Sequence, residues 1–323
     1  MRSVRPGAID RPASTCAGAQ PELADLPTPA VTDGQVLIKV KAAGLNAVDN
    51  IIAAGYMAGM FPHEYPLVLG RDAAGVVEAV GAGVEHVQPG DEVIGHVLLA
   101  PPVRHGTLAE YALLPAAAVT PKPAGLDFVT AAALPLAGAA AVAAVDAIDP
   151  QPGQVVLVSG ATGGVGNYAV QLLAARGATV VATGTPADAG KLTGLGAATV
   201  VDYSAGSVAE QVLAAYPDGV DALVELAAQT PDAAAFAAVR KGGKVAALTQ
   251  AATEDALAAA GLTGGGVFAG PVREVTAPLA EQAAAGTLAV DVATVLPLHR
   301  AAEGLATIAS GQARGKIVVT VED

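Results

Sequence analysis

VVLVSGATGGVGNYAVQLLAARG, residues 155–177, decides the fold of this 323-residue chain. Its first five residues, VVLVS, are apolar and β-branched, the composition of a buried strand. The turn Gly160-Ala161-Thr162-Gly163-Gly164-Val165-Gly166 follows, and a helix is expected from near Gly164 to Gly177. Ala161, Gly163 and Gly166 take the three glycine positions of the dinucleotide fingerprint, and Gly164 and Val165 stand between the last two. A side chain at Gly163 would block approach of the backbone to a pyrophosphate, and one at Gly166 would push the helix off the strand. The helix N-terminus offers unpaired N–H groups and a partial positive charge to the phosphates. One such match is weak alone, because glycine-rich turns also merely connect strands to helices.

The flanking sequence strengthens it. Strands are expected at 179–183 (TVVAT), 198–203 (ATVVDY), 222–226 (ALVEL) and 244–249 (KVAALT). Helices are expected between them, ending near Lys191, over 207–215 and near 232–239. Short apolar runs alternating with helical patterns are the sequence form of a parallel sheet with crossover helices. The fold class is therefore α/β, a Rossmann-type doubly wound parallel sheet, and a strand GGVFAG and a helix over 277–285 follow it. In an NAD site the second strand usually ends on an acid that accepts the ribose 2′-hydroxyl. Here it ends Thr183-Gly184-Thr185-Pro186, with no acid before Asp188 and only Lys191 as a nearby cation. That absence favours NADPH; alternatively, Thr183–Thr185 is the polar N-cap of the next helix.

Toward the amino side, 34–121 reads as short strands and turns, with Pro89-Gly90-Asp91 a turn whose proline presets φ. This is the pattern of a second, β-rich domain. The strand-like tail GKIVVTVED is expected to rejoin it, giving a domain over 1–122 completed by 290–323 and a dinucleotide domain over 123–289. The segment 128–145 carries no charge, but it is mostly alanine and broken by Pro135 and Gly138. It reads as a buried helix, not a membrane span. Seventeen bases against thirty acids, net −13, oppose nucleic-acid binding and give no reason to expect docking on anionic lipid. Cys16 is the only cysteine, so no disulfide forms within the chain. The first residues lack the apolar core of a signal peptide, and a cytoplasmic location is the default.

With these motifs in place, the chain resembles the zinc-free quinone oxidoreductase branch of the medium-chain dehydrogenase/reductase superfamily. The resemblance runs from about residue 25 through AAGLNAVD (42–49), LGRDAAGVVEAVGAGV (69–84), PGDEVIG (89–95), GTLAEYALLPA (106–116), SGATGGVG (159–166), LGAATVVDY (195–203) and GKIVV (315–319). It implies that the β-rich part is a GroES-like catalytic domain and that the protein is a homodimer. Zinc-dependent relatives place a cysteine near Asn46 and Gly-His-Glu at Gly70-Arg71-Asp72; neither is present. The five histidines, at 63, 86, 96, 105 and 299, show no close ligand spacing, so no metal is expected.

Carried over by position, the resemblance implies that Asn46 lies beside the nicotinamide and Tyr203 near the adenosine 2′-phosphate. It implies that Phe268 packs near the nicotinamide and that Lys316, with Leu248, Thr183, Gly184 and Thr185, completes the cofactor set. Bland alternatives stand beside these: a turn residue at Asn46, core at Tyr203, structural roles at Phe268 and Lys316. Three departures weigh against full transfer: Ala140 where a threonine is common, Asp188 near the place of a phosphate-gripping lysine, and a divergent 55–65 segment. The reaction implied is hydride transfer from NADPH to a quinone or enone, with Tyr56 and His105 or solvent as proton donors. Tyr56, Met57, Met60 and Phe61 either line the acceptor pocket or serve a core or dimer contact. An enoyl-thioester reductase and a non-catalytic NADPH-binding protein remain open alternatives; the former should need a basic patch, and the catalytic half has few bases beyond Arg71 and Arg104.

Overall fold

The computed structural model describes residues 2–6 and 21–321, so Cys16 lies outside the described residues. In chain order the elements begin with β1 (Arg2–Pro6), β2 (Pro21–Asp25), β3 (Gln35–Leu45), α1 (Ala47–Ala53), β4 (Asp72–Val80), β5 (Glu92–His96), β6 (Tyr111–Pro115) and β7 (Val119–Pro121). Then come α2 (Phe128–Ala132), α3 (Pro135–Ile148), β8 (Val155–Ser159), α4 (Gly164–Ala175), β9 (Thr179–Gly184), α5 (Ala189–Gly194), β10 (Ala197–Asp202), α6 (Val208–Ala215) and β11 (Val220–Glu225). The remainder is β12 (Val239–Ala247), α7 (Glu254–Ala260), β13 (Thr263–Gly266), α8 (Arg273–Ala284), β14 (Val292–Pro297), α9 (Ala301–Ala309) and β15 (Lys316–Thr320). The chain divides into two compact units, one of residues up to Leu136 together with those from Pro271 on, the other Ala137–Gly270.

The first unit is built on a seven-stranded sheet of order β14-β15-β3-β4-β5-β7, with β6 also paired to β3. Strand β3 organises it. Residues 35–39 pair with β6, 42–45 pair with β15, and β4 runs along the other edge. Its valines and leucines meet those of β4, β6 and β15 in one core, to which Leu296, Leu305 and Ile317 also belong. Helix α2 packs on β3 and β4, and α8 on β7, so both belong to this unit. The segment 123–289 expected as the dinucleotide domain is thus longer at both ends than the second compact unit.

The second unit is a six-stranded parallel sheet of order β10-β9-β8-β11-β12-β13. Numbered within the unit this is 3-2-1-4-5-6, the doubly wound Rossmann order. The central strands read as near-continuous apolar runs because helices cover both faces of such a sheet. Two expectations differ from the structure. The crossover from β11 to β12 contains the 3-10 turns Pro231–Ala233 and Phe236–Ala238 instead of a helix over 232–239. Phe236 and Ala238 are buried in the core from these turns. The strand expected in GGVFAG closes at Gly266, and Phe268 lies beyond it, 94% exposed. No helix among the described residues is long and apolar enough to cross a membrane. The uncharged stretch 128–145 forms α2 and most of α3, with Pro135 opening α3 where its missing N–H costs nothing.

Candidate active site

The second unit carries the glycine-rich 160–166 turn between β8 and α4. The direction in which successive strands are added to the sheet reverses between β8 and β11, whose last residues, Ser159 and Glu225, are partners in the sheet. Ligands of such sheets sit in the crevice outside these carboxyl ends. From Ser159 the chain turns through Gly160, whose φ of +78° favours glycine. The two fingerprint glycines are explained differently. A Cβ on Gly166 would lie 2.3 Å from the Gly160 carbonyl oxygen and 2.5 Å from the Ala161 Cα, so close helix–strand packing requires the glycine. A Cβ on Gly163 would meet nothing closer than 3.4 Å, and its φ of −78° suits any residue. Neither packing nor backbone conformation requires glycine there. Open space above a helix N-terminus is what a pyrophosphate needs.

Side chains that the sequence reading missed fix this loop. Asn167 Nδ2 donates to the Thr162 and Gly163 carbonyls at 3.2 and 2.8 Å. Buried Glu225 caps the turn after β11, its Oε1 accepting from the Ala227 and Ala228 amides at 2.8 and 2.9 Å. Their only sequence signals were an asparagine in the first turn of a helix and an acid at a strand end. Thr183, expected at the cofactor, is buried, and its hydroxyl accepts from the Gly160 amide at 2.9 Å. It therefore ties the loop to β9. Thr185 donates through its amide and hydroxyl to Asp188 Oδ2, at 2.8 and 2.7 Å. The N-cap of α5 is Asp188, not a residue of 183–185. Leu248 is half-buried, its amide bonded to the Glu225 carbonyl, and Tyr203 is exposed at the end of β10.

The first unit brings Asn46 and Lys316 together. Asn46 directly follows β3 and is the N-cap of α1, its amide donating to Asp49 Oδ2 at 2.8 Å. Lys316, the first residue of β15, is carried alongside by the β3–β15 pairing. Its buried Nζ donates to the Leu45 carbonyl at 2.9 Å and to Asn46 Oδ1 at 2.6 Å. Asn46 Nδ2 donates to Asp72 Oδ2 at 2.9 Å. Asp72 also contacts His96 Nδ1 at 2.6 Å and accepts from the Leu136 amide at 3.1 Å. Residues 44, 72 and 96 are successive partners across β3, β4 and β5, which is why these groups meet.

This donor set does not suit a metal. The Asp72 oxygens are already taken, and Arg71 donates through Nη2 to the His105 carbonyl at 2.7 Å. No group of three or more His, Cys, Asp or Glu side chains among the described residues could hold a metal ion. Burial of Asp49 pushes its carboxyl up to about 7, while Arg71, the Asn46 amide and Lys316 pull the other way. Burial likewise lowers Lys316 and Arg71, opposed by the two aspartates. The two proton-donor candidates also lie in this unit. Tyr56 is 75% exposed. His105 lines a groove of about 350 Å³ with Pro29, Pro66, Val68 and Tyr111, and burial followed by nearby Arg104 holds its imidazole below the ordinary range. The apolar set divides: Met57 and Phe61 pack against the core, whereas Tyr56 and Met60 face outward.

Residues 32–124 match the alcohol dehydrogenase GroES-like domain, and 195–319 match the zinc-binding dehydrogenase domain. A chloroplastic NADPH-dependent alkenal/one oxidoreductase of Arabidopsis thaliana is 32% identical over 297 residues, 90% of this chain and 73% of that protein. The quinone oxidoreductase from Coxiella burnetii superposes with a TM-score of 0.85 at 26% identity, covering 100% of this chain and 99% of that one. The chain belongs to the quinone oxidoreductase branch of the medium-chain dehydrogenase/reductase superfamily. A mitochondrial NAD(P)H oxidoreductase of Mus musculus is 37% identical over 195 residues, 55% of this chain and 48% of that protein. This family member therefore spans about half the length of the curated relatives it matches first. Its first unit is the GroES-like fold of the family, and its second is the Rossmann fold.

Proposed function

We propose that the protein reduces a quinone or other conjugated carbonyl by direct hydride transfer from NAD(P)H, without a metal ion. The observation that carries the reading is the space at Gly163, for which ligand approach is the remaining reason to keep a glycine. The 160–166 turn fits a dinucleotide: Gly164, Val165 and Gly166 present the first-turn amides and the positive helix end to a pyrophosphate, while the Gly163 amide donates to the Gly160 carbonyl within the turn. When bound, the cofactor supplies a hydride from C4 of its reduced nicotinamide, and one proton completes the two-electron reduction. In the GroES-like unit Asn46 is held at both ends of its amide, by Lys316 and by Asp72, so its orientation is fixed before any ligand arrives. The Arg71 guanidinium stands where zinc relatives carry a histidine ligand, and Asp72 is engaged, which supports the metal-free route. Burial holds the His105 imidazole below its ordinary range and so disfavours its acid form, and solvent or Tyr56 supplies the proton. A homodimer is supported by the exposed outermost strand β13 and by Phe268 just beyond it.

The test is oxidation of NADPH and NADH against benzoquinones, naphthoquinones, enones and enoyl thioesters, with metal analysis of the same preparation. Turnover with quinones or enones that survives chelation is expected. Tight dinucleotide binding with no turnover on any acceptor would overturn the enzymatic reading. Stoichiometric zinc whose removal abolishes turnover would overturn the metal-free one.

A further inference from the structure

We infer that Asp188 turns this site away from the 2′-phosphate, making NADH the preferred hydride donor. The inference rests on the reading that a dinucleotide binds at the 160–166 loop. In a sheet of this order the adenosine ribose lies at the carboxyl end of the second strand, where an acid selects the free 2′-hydroxyl of NAD. That strand is β9, and 183–186 contain no acid, which by sequence favours NADPH. The fold restores one. After Thr185 the chain turns back, and the Asp188 amide donates to the Thr185 carbonyl at 2.9 Å. The Asp188 carboxylate then takes both the Thr185 amide and the Thr185 hydroxyl on Oδ2, at 2.8 and 2.7 Å. A Cβ on Gly184, the last residue of β9, would stand 3.2 Å from the Asp188 Cβ. The carboxylate is thus held against the strand end itself, although it lies four residues further along the chain.

Two consequences oppose a 2′-phosphate here. Its negative charge would face a carboxylate. The donors Thr185 could offer it are already bonded to that carboxylate. Lys191, the one basic residue of 184–196, offsets the charge of Asp188, and the segment carries no net positive charge for a phosphate. A ribose 2′-hydroxyl, by contrast, can donate to the carboxylate.

Titration calorimetry of the full chain with NADH and with NADPH tests this without turnover. Wild type should bind NADH about tenfold more tightly than NADPH, the ratio that one like-charge contact of roughly 1.4 kcal/mol gives. Asp188→Asn should remove most of that difference by tightening NADPH. Should that variant fail to fold, salt serves on the wild type, since screening of the repulsion should shrink the NADH preference as ionic strength rises. Tighter NADPH binding by wild type, or an Asp188→Asn ratio unchanged from wild type, would overturn the inference. So would a salt-independent ratio. Binding of neither dinucleotide would overturn the cofactor reading itself, and the inference with it.

Discussion

Asp49 carries a carboxylate into a fully buried position where Oδ2 accepts from the Asn46 amide and Oδ1 has no hydrogen-bond partner. Desolvation dominates, and the folded carboxyl titrates at about 7 against an ordinary 3.8. The folded state therefore keeps a proton that the unfolded chain releases at lower pH. A raised carboxyl contributes stability that is fully present below the unfolded value and lost as pH rises to the folded one. Between pH 3.8 and about 7, wild type should lose stability faster than Asp49→Asn, with the two profiles parallel above that window. Denaturant melts across pH measure this, and parallel profiles throughout would refute it. This cluster was only half legible in the sequence. Asn46 and Lys316 stood out because their motifs resembled a family, whereas Gly70-Arg71-Asp72 registered only as a missing metal site. That Asp72, His96 and Asn46 meet depends on strand register, which no single segment encodes.

At the scale of elements, the loop and α4 act together. Gly163→Val should leave the melting temperature near wild type, because the added side chain enters open space, yet abolish dinucleotide binding. Gly166→Val should instead cost about 1–3 kcal/mol or more of stability, because its Cβ would collide with backbone that cannot swing aside. Melting curves with a binding titration separate the two, and a Gly163→Val protein that still binds would place the phosphates elsewhere. The strand–loop–helix unit was readable because its constraints are local: a valine run, a tight turn and an apolar helix. The β11–β12 crossover was not. Its alanines favour helix in isolation, but the burial of Phe236 and Ala238 in the core goes with turns instead.

For the whole molecule, the Rossmann unit is one continuous stretch and the GroES-like unit is made from both sides of it. The alternation of strands and helices was legible as a class of fold; the strand order arises from how crossovers wind and is written in no residue. Dinucleotide at about 100 times its dissociation constant should add about 2.7 kcal/mol to the stability of the state that binds it. Hydrogen exchange should place the gain in β8, the 160–166 loop, α4 and β9. Equal gains across β4 and β5 would mean that the two units unfold together.

The Lys316 ammonium bonds to a carbonyl 271 residues earlier in the chain. During translation, β3 leaves the ribosome long before β15 exists to cover its second half. The nascent GroES-like unit must wait with an open edge while the Rossmann unit is made. Open strand edges invite pairing with other chains. Ribosomes stalled between the codons for Gly270 and Lys316 should therefore release a product with a finished Rossmann unit attached to an aggregation-prone partner, making this stretch the one where chaperone capture matters most.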